Sequence, residues 1–249
     1  MTFKFNGHFN NNFEDLKEKG NRAMRSVVKK ARRDKLPIDL QFDLFDKMVM
    51  PVILYGCEIW GYKNLGTLEN LHLKFCKLVM KLKSSTPDVM VYGESGRLKV
   101  EYYAKKRMIN FWSTIACGNR NKLAFIMLTN LCEQRYENGM SSSEWLVSLA
   151  SMLGNYGINF IPDEELYIKA AVKHMLFHLK DEYISNWETQ VNNAPKCSIL
   201  YKHIKVDFEC EYYLTNLPYN LRLAMSRIRT CNHRLPIEVG RYTSSYKPR

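Results

Sequence analysis

The sequence lacks any long uncharged apolar segment. Nowhere in its 249 residues is there the run of roughly 18 apolar residues that a membrane-spanning helix needs. The first seven residues are not followed by the apolar run of a secretory signal. We therefore expect neither a membrane partner nor secretion, and the seven scattered cysteines fit a reducing, intracellular compartment.

The local motifs of common metal and nucleotide sites are also missing. No two cysteines form a Cys-x-x-Cys pair, which argues against a zinc ribbon or a redox motif. Gly93-x-x-Gly96 is too short for a P-loop, and no serine lies in a Gly-x-Ser-x-Gly elbow. His174 and His178 are four residues apart, but no third ligand has a useful spacing. We expect no cofactor and no metal.

Adjacent carboxylates could hold Mg²⁺ in a nucleotide-transferring enzyme only if buried strand residues aimed them. None of the acidic neighbours is flanked by such residues, so we interpret them as solvated helix charges. They are Glu14-Asp15, Asp163-Glu164-Glu165 and Asp181-Glu182. The chain is not expected to catalyse a reaction by itself.

What the sequence does contain is helical periodicity along nearly its whole length. Apolar residues make up 46% of the chain and recur at helical spacing without strand-like alternation, which predicts an all-α fold. Four tryptophans could stack on bases, but their apolar neighbours favour core packing. They are Trp60, Trp112, Trp145 and Trp187.

The pattern predicts a series of helices and an irregular tail from residue 230. The expected helices cover residues 13–33, 38–50, 52–61, 67–82, a segment starting at Thr86-Pro87, 100–115, 122–135, 143–155, 163–183, a short one near Trp187, and 220–229. The stretch 154–162 holds turn formers without periodicity and predicts a linker. The corresponding division is 1–84, 85–155 and 156–249.

The net charge of +12, from 37 basic and 25 acidic residues, favours a polyanionic partner such as nucleic acid. On a helical wheel the first helix places its apolar residues on one side, namely Phe13, Leu16, Ala23, Val27 and Ala31. Its cations gather on the other side within about 100° of arc. They are Arg22, Arg25, Lys29, Arg32 and Arg33, with Lys30 beside them.

These cations predict sequence-independent contact with phosphates. A weaker second basic patch comprises Lys105 and Lys106, with Arg97 nearby in the sequence. Three alternatives stay open: a merely solvated basic face, a helical scaffold that docks an acidic protein, and a hydrolase with a dispersed site. A salt-sensitive, sequence-blind affinity for duplex would favour nucleic acid over the scaffold.

Several phrases, in one order along nearly the whole chain, resemble the region downstream of the catalytic palm in LINE-type, non-LTR retrotransposon reverse transcriptases. They are Leu36-Pro37-Ile38-Asp39, Leu44-Phe45-Asp46-Lys47-Met48-Val49 with Pro51, Leu54-Tyr55-Gly56-Cys57-Glu58-Ile59-Trp60-Gly61, His72-Leu73-Lys74-Phe75-Cys76-Lys77, Thr86-Pro87, Val91-Tyr92-Gly93-Glu94-Ser95-Gly96-Arg97, and Asn232-His233-Arg234-Leu235-Pro236-Ile237-Glu238-Val239-Gly240-Arg241-Tyr242. Ser95 departs from the family, which usually carries an apolar residue there.

The resemblance implies that the first helices are a thumb, which grips a template–primer duplex by its backbone. The remaining helices would form a post-thumb region associated with the element's RNA. The fingers, the palm and the polymerase acids would lie upstream, and a Cys/His segment would follow Asn232-His233. The implied partners are RNA, DNA or an RNA–DNA hybrid, together with the missing palm.

Overall fold

The computed structural model describes residues 10–138, 143–158, 165–193 and 199–232. Within these ranges the chain is helical and contains no β-strand, and one isolated antiparallel bridge joins Ser95 to Cys210. The all-α prediction is therefore confirmed. Among the described residues, no helix combines the length and the apolar character needed to cross a membrane.

The helices follow one another with short connections. They are α1 (Asn10–Arg33), α2 (Ile38–Met48), α3 (Met50–Ile53), α4 (Cys57–Trp60), α5 (Gly66–Val79), α6 (Asp88–Ser95), α7 (Val100–Ala116), α8 (Leu123–Asn138), α9 (Glu144–Gly154), α10 (Glu165–Asn192), α11 (Ile199–Ile204), α12 (Tyr212–Asn216) and α13 (Tyr219–Arg229). The predicted irregular tail lies, from residue 233 onward, outside the described residues.

Helix α1 is amphipathic, as its periodicity predicts. Leu16, Met24 and Val27 are buried on one side, whereas its arginines and lysines are exposed on the other. Gly20 lies on the buried side, where a Cβ atom would collide with the side chain of Ile53. The glycine thus lets α1 approach its neighbours closely, and this packing holds the helix in place against the core.

The apolar run at 52–61 does not form the single core-crossing helix that its composition predicts. It forms α3 and α4 instead, separated by Gly56, whose φ of 71° lies in the left-handed region. Gly56 serves as the N-cap of α4, and Gly61 ends that helix by donating to the carbonyl of Cys57 at 2.7 Å. Apolar character alone could not reveal this break, because glycine tolerates both helical and left-handed backbone.

Two other helix predictions need correction. Helix α6, expected to start at Thr86-Pro87, begins at Asp88 with Pro87 as its N-cap, and the Thr86 hydroxyl accepts a hydrogen bond from the Asn232 amide at 2.6 Å. The helix predicted to end at 183 and the short one near Trp187 form a single helix, α10, of 28 residues. Helices α11 and α12 were not predicted, because segments of five or six residues carry little periodicity.

The chain divides into two compact units, each built from three separate stretches. Unit 1 comprises Met1–Phe13, Leu54–Gly66 and Val100–Tyr183, and unit 2 comprises Glu14–Ile53, Thr67–Lys99 and Ile184–Arg249. The sequential division into 1–84, 85–155 and 156–249 stays a prediction. Part of the expected linker, 159–164, lies outside the described residues.

The core of unit 1 is formed where α4 packs on α7. Trp60 and Trp112 are both fully buried there, and Phe13 contacts Trp60 edge-on with ring centroids 5.2 Å apart. Gly61 permits the close approach, since a Cβ atom at that position would lie only 3.2 Å from the Cβ of Ala104. Unit 1 is therefore held by aromatic packing against a glycine-lined helix end.

The core of unit 2 contains two aromatic groups. Phe45 stacks on Phe75 with ring centroids 4.2 Å apart, and Phe42 contacts Phe75 edge-on. Separately, Trp187 and Tyr201 pack with Met90. The indole of Trp187 donates to the carbonyl of Val89 at 2.8 Å. Of the four tryptophans, Trp60, Trp112 and Trp187 are buried, as predicted, whereas Trp145 is half-buried.

Candidate nucleic-acid interface

The exposed side of α1 carries a row of four cations that form no ion pair with any described residue. They are Arg22, Arg25, Lys29 and Arg32, and together they are called the α1 basic face. Ten residues of helix span about 15 Å. Along one strand of a duplex, that length covers about four phosphates at roughly 3.4 Å each.

The other two cations predicted on α1, Lys30 and Arg33, already form ion pairs with a neighbouring carboxylate. Asp34 accepts hydrogen bonds from Arg33 Nε at 2.8 Å and from Lys30 Nζ at 3.0 Å. The hydrogen bond from Arg33, followed by that from Lys30, lowers the pKa of Asp34 to about 2. Both cations are exposed, but at neutral pH they share one neighbouring carboxylate.

One acid lies on the same face of α1, just before the row of cations. Glu18, exposed, stands one helical turn before Arg22 on the same face. The nearest acid on this face therefore lies before Arg22, and no carboxylate interrupts the face from Arg22 to the C-terminal end of the helix at Arg33.

A cavity of about 550 Å³ opens at that end and is called the basic pocket. Its lining includes Arg32, Lys35, Lys81 and Arg222, and no carboxylate of the described chain contributes to it. The rest of the lining is mainly apolar, with one aromatic and one amide side chain. These residues are Val28, Ala31, Leu36, Pro37, Leu78, Val79, Tyr219 and Gln41.

Two lysines of the basic pocket occupy the same unusual backbone position. Lys35 has a φ of 49° and Lys81 a φ of 57°, each just after the end of a helix. The next residue in each case donates back to the helix, Leu36 to Ala31 at 3.0 Å and Leu82 to Lys77 at 2.8 Å. This is the helix ending at which glycine is the usual residue.

Helix α13 contributes two further polar groups to the pocket, Tyr219 and Arg222. The guanidinium of Arg222 lies 5.7 Å from the ring centroid of Tyr219 and donates to the carbonyl of Leu214 at 3.3 Å. Tyr219 itself is half exposed. The sequence pattern did not predict these residues, because they converge from three helix ends that are distant in the sequence. They are Lys35, Lys81, Arg222 and Tyr219.

A second cavity of unit 2, also about 550 Å³, differs from the basic pocket because its lining contains both basic and acidic residues. Its lining includes Lys74, Lys77 and Asp88. Lys77 donates to Asp88 at 2.8 Å and to the carbonyl of Ser84 at 2.9 Å, so one cation is already satisfied. The basic pocket has no such internal acid, and this difference makes it the better candidate for an anion site.

Arg97, predicted to bind nucleic acid, is instead buried in unit 2. Its Nε donates to Nε2 of His72 at 2.9 Å, and its two terminal nitrogens bind the carboxylate of Asp46. The guanidinium also lies over the rings of Phe42 and Phe45, at 5.0 and 5.7 Å from their centroids. Its donors face protein groups, so Arg97 is not part of the candidate interface.

The predicted second patch lies in unit 1. Lys105 forms an ion pair with Glu101 at 2.7 Å and lies 5.8 Å from the ring centroid of Tyr183. Lys106 is exposed. One exposed cation beside a paired one makes a weaker phosphate surface than the four cations of the α1 basic face.

Among the residues that the structure describes, the histidine pair and the cysteines show no arrangement that would hold a metal. The Nε2 atoms of His174 and His178 lie 3.0 Å apart and share a hydrogen bond. Across the described ranges, no group of three or more histidine, cysteine or acidic residues is placed to hold a metal ion. Burial raises the pKa of the Cys57 thiol to about 12, so this cysteine stays protonated at neutral pH.

The sequence and the fold were also compared with known proteins. No protein-family model, no curated protein and no solved structure matches the chain.

Proposed function

We propose that this chain is a non-catalytic nucleic-acid-binding module that contacts the phosphate backbone through the α1 basic face. The observation that carries the proposal is the row of four exposed cations, Arg22, Arg25, Lys29 and Arg32, without an ion-pair partner among the described residues. Surface cations normally alternate with acids, so an unbalanced row on a rigid helix favours a polyanionic ligand.

The burial of the opposite side of α1 supports the proposal physically. Because Leu16, Met24 and Val27 are packed in the core, α1 presents its cations from a fixed position. Pre-positioned cations lose less conformational entropy on binding than cations on a mobile segment. The contacts are to phosphates, so binding is expected to be independent of sequence and sensitive to salt.

We further propose that the chain corresponds to the thumb and post-thumb region of a LINE-type reverse transcriptase. This rests on the ordered phrases between Leu36 and Tyr242. In that setting the ligand is the template–primer duplex or the element's RNA, and the catalytic acids belong to a palm that is not part of this chain.

The test is binding of a labelled RNA–DNA hybrid at several salt concentrations. The variant Arg22→Gln/Arg25→Gln/Lys29→Gln removes three phosphate contacts and leaves the basic pocket intact. Each contact contributes about 0.9 to the slope of log affinity against log salt, so the slope should fall by about 2.7. The matched control changes three exposed cations of unit 1, Arg120, Lys122 and Lys180, to Gln.

The control variant has the same net charge as the test variant and should keep the wild-type slope. Equal losses in both variants would mean that net charge, not the α1 basic face, controls binding. No binding by the wild-type chain would contradict the proposal, and the face would then be a solvated surface or a dock for an acidic protein.

A further inference from the structure

The basic pocket combines an apolar interior with a charged rim. Val28, Leu78 and Val79 contribute apolar side chains, while Arg32, Lys35, Lys81 and Arg222 contribute the positive charge. Its volume of about 550 Å³ lies within the range of small-molecule sites. A ligand with a flat apolar part and an attached anion would match both features.

Four cations around one cavity repel one another unless an anion joins them. No ion pair within the described chain neutralises any of the four, although the ends of α1 and α5 bring partial negative charge. Half a charge at each helix end offsets only part of four positive charges. Binding an anion would therefore relieve repulsion that the fold by itself leaves in place.

The backbone conformation of Lys35 and Lys81 gives a second, independent observation. Left-handed backbone at a residue other than glycine costs roughly 1–2 kcal/mol. Only three such residues occur in the described chain, and two of them line this one pocket. A strained conformation that recurs at one cavity points to a use for the lysine side chain that glycine could not supply.

The position of the pocket identifies the class of ligand. Arg32 belongs both to the α1 basic face and to the pocket, so a backbone that follows the face leads into the cavity. At the rim, Tyr219 offers a half-exposed aromatic ring on which a base can stack. A base inside a duplex has both faces covered by its neighbours and could not use this ring.

From these observations we infer that the basic pocket holds one unpaired nucleotide, with its base against Tyr219 and its phosphate on Lys35, Lys81 and Arg32. The inference rests on the proposed function, since the α1 basic face delivers the strand to the pocket. The chain would thus recognise the place where a duplex ends in a single strand, and not only the duplex itself.

The test compares two ligands, a blunt RNA–DNA hybrid and the same hybrid with a short 5′-phosphorylated single-stranded overhang. The wild-type chain should prefer the overhang by at least about fivefold, the lower limit for stacking one base on an aromatic side chain. The variant Tyr219→Leu should lose this preference while keeping its affinity for the blunt hybrid.

A matched pair of glycine variants separates recognition from folding. Lys81→Gly and Lys83→Gly each remove one exposed lysine from the same connection, but only Lys81 lines the pocket and has a positive φ. Lys81→Gly should lose most of the overhang preference and yet have a melting temperature equal to or above that of the wild type. Lys83→Gly should keep the preference.

Each outcome decides between the two proposals. If the blunt hybrid binds with the expected salt slope but the overhang adds nothing, the pocket inference is wrong and the proposed function stands. Equal behaviour of Lys81→Gly and Lys83→Gly also overturns the inference. If neither hybrid binds, both proposals fail. Tighter binding to vesicles containing phosphoinositides than to the overhang would assign the pocket to a lipid headgroup instead.

Discussion

The α1 basic face and the buried charges around Glu94 use arginine in opposite ways. On the face, Arg22, Arg25 and Arg32 are exposed and have no ion-pair partner in the described chain. In the buried cluster, Glu94 is fully enclosed and accepts hydrogen bonds from Arg229 Nε at 2.9 Å and from the Tyr213 hydroxyl. Charge in the first region is available to a ligand, whereas charge in the second holds the fold together.

Nearly every hydrogen-bond donor of the buried cluster has an acceptor within the cluster. Arg229 also binds Glu211 at 2.9 Å, and Lys205 donates to Glu211 at 2.6 Å and to the carbonyl of Glu209 at 2.7 Å. Burial, reinforced by Glu94, raises the pKa of the Tyr213 hydroxyl far above its ordinary value, so Tyr213 stays a donor. A net charge of +12 therefore does not locate a candidate binding surface. Such a surface is located by identifying the exposed cations that have no ion-pair partner.

The largest expected effect comes from breaking the buried cluster. The variant Arg229→Met leaves the Glu94 carboxylate buried without its cation, which should lower the free energy of unfolding by about 3–5 kcal/mol. Urea unfolding measures the loss. The control is Arg227→Met, an exposed arginine two residues earlier on α13, which should change stability by less than about 0.5 kcal/mol. Similar stabilities for the two variants would contradict a stabilising role for the ion pair between Arg229 and Glu94.

An intermediate effect is expected at Arg97. Lysine cannot bind Asp46 through two nitrogens while also donating to His72, so Arg97→Lys should lower the unfolding free energy by about 1.5–3 kcal/mol. Affinity for the RNA–DNA hybrid should stay unchanged at a temperature where the variant is folded. A lowered salt slope in a stable variant would return Arg97 to the interface.

The smallest effect on stability, with a gain in binding, is expected at Asp34. Because its pKa is lowered to about 2, the carboxylate is charged at neutral pH and its ion pairs are lost only as the pH falls toward that value. Asp34→Asn removes the acid and releases Lys30 and Arg33, which should steepen the salt slope by about 1–2 through added phosphate contacts. Stability should change by less than about 0.5 kcal/mol. An unchanged slope would show that Lys30 and Arg33 lie off the path of the backbone.

Much of the fold follows from local periodicity. The amphipathic pattern of α1 correctly separates buried Leu16 and Val27 from exposed Arg22 and Lys29, because a long helix repeats the same face many times. The break at Gly56 and the continuity of α10 through Ile184 were not predicted. A single glycine or a loss of amphipathicity leaves helix and turn nearly equal in local energy, and packing then decides between them.

The candidate site was only partly predictable for a related reason. The α1 basic face lies on one helix, so a wheel drawn from the sequence places its four cations together. The basic pocket joins Arg32, Lys81 and Arg222 from parts of the chain that no local pattern connects. Arg97 was predicted to lie on the surface, because a helical wheel cannot show that Asp46 and His72 would enclose it.

By itself the sequence determined the helical class, the amphipathic direction of α1 and the positive sign of the net charge, since each depends on spacing within one helix or on composition. The tertiary structure decided which cations remain unpaired, because pairing depends on distances between residues far apart in the chain. It also decided that Lys35 and Lys81 meet at one cavity. Coulomb energy depends on those distances and on burial, and the local sequence determines neither of them.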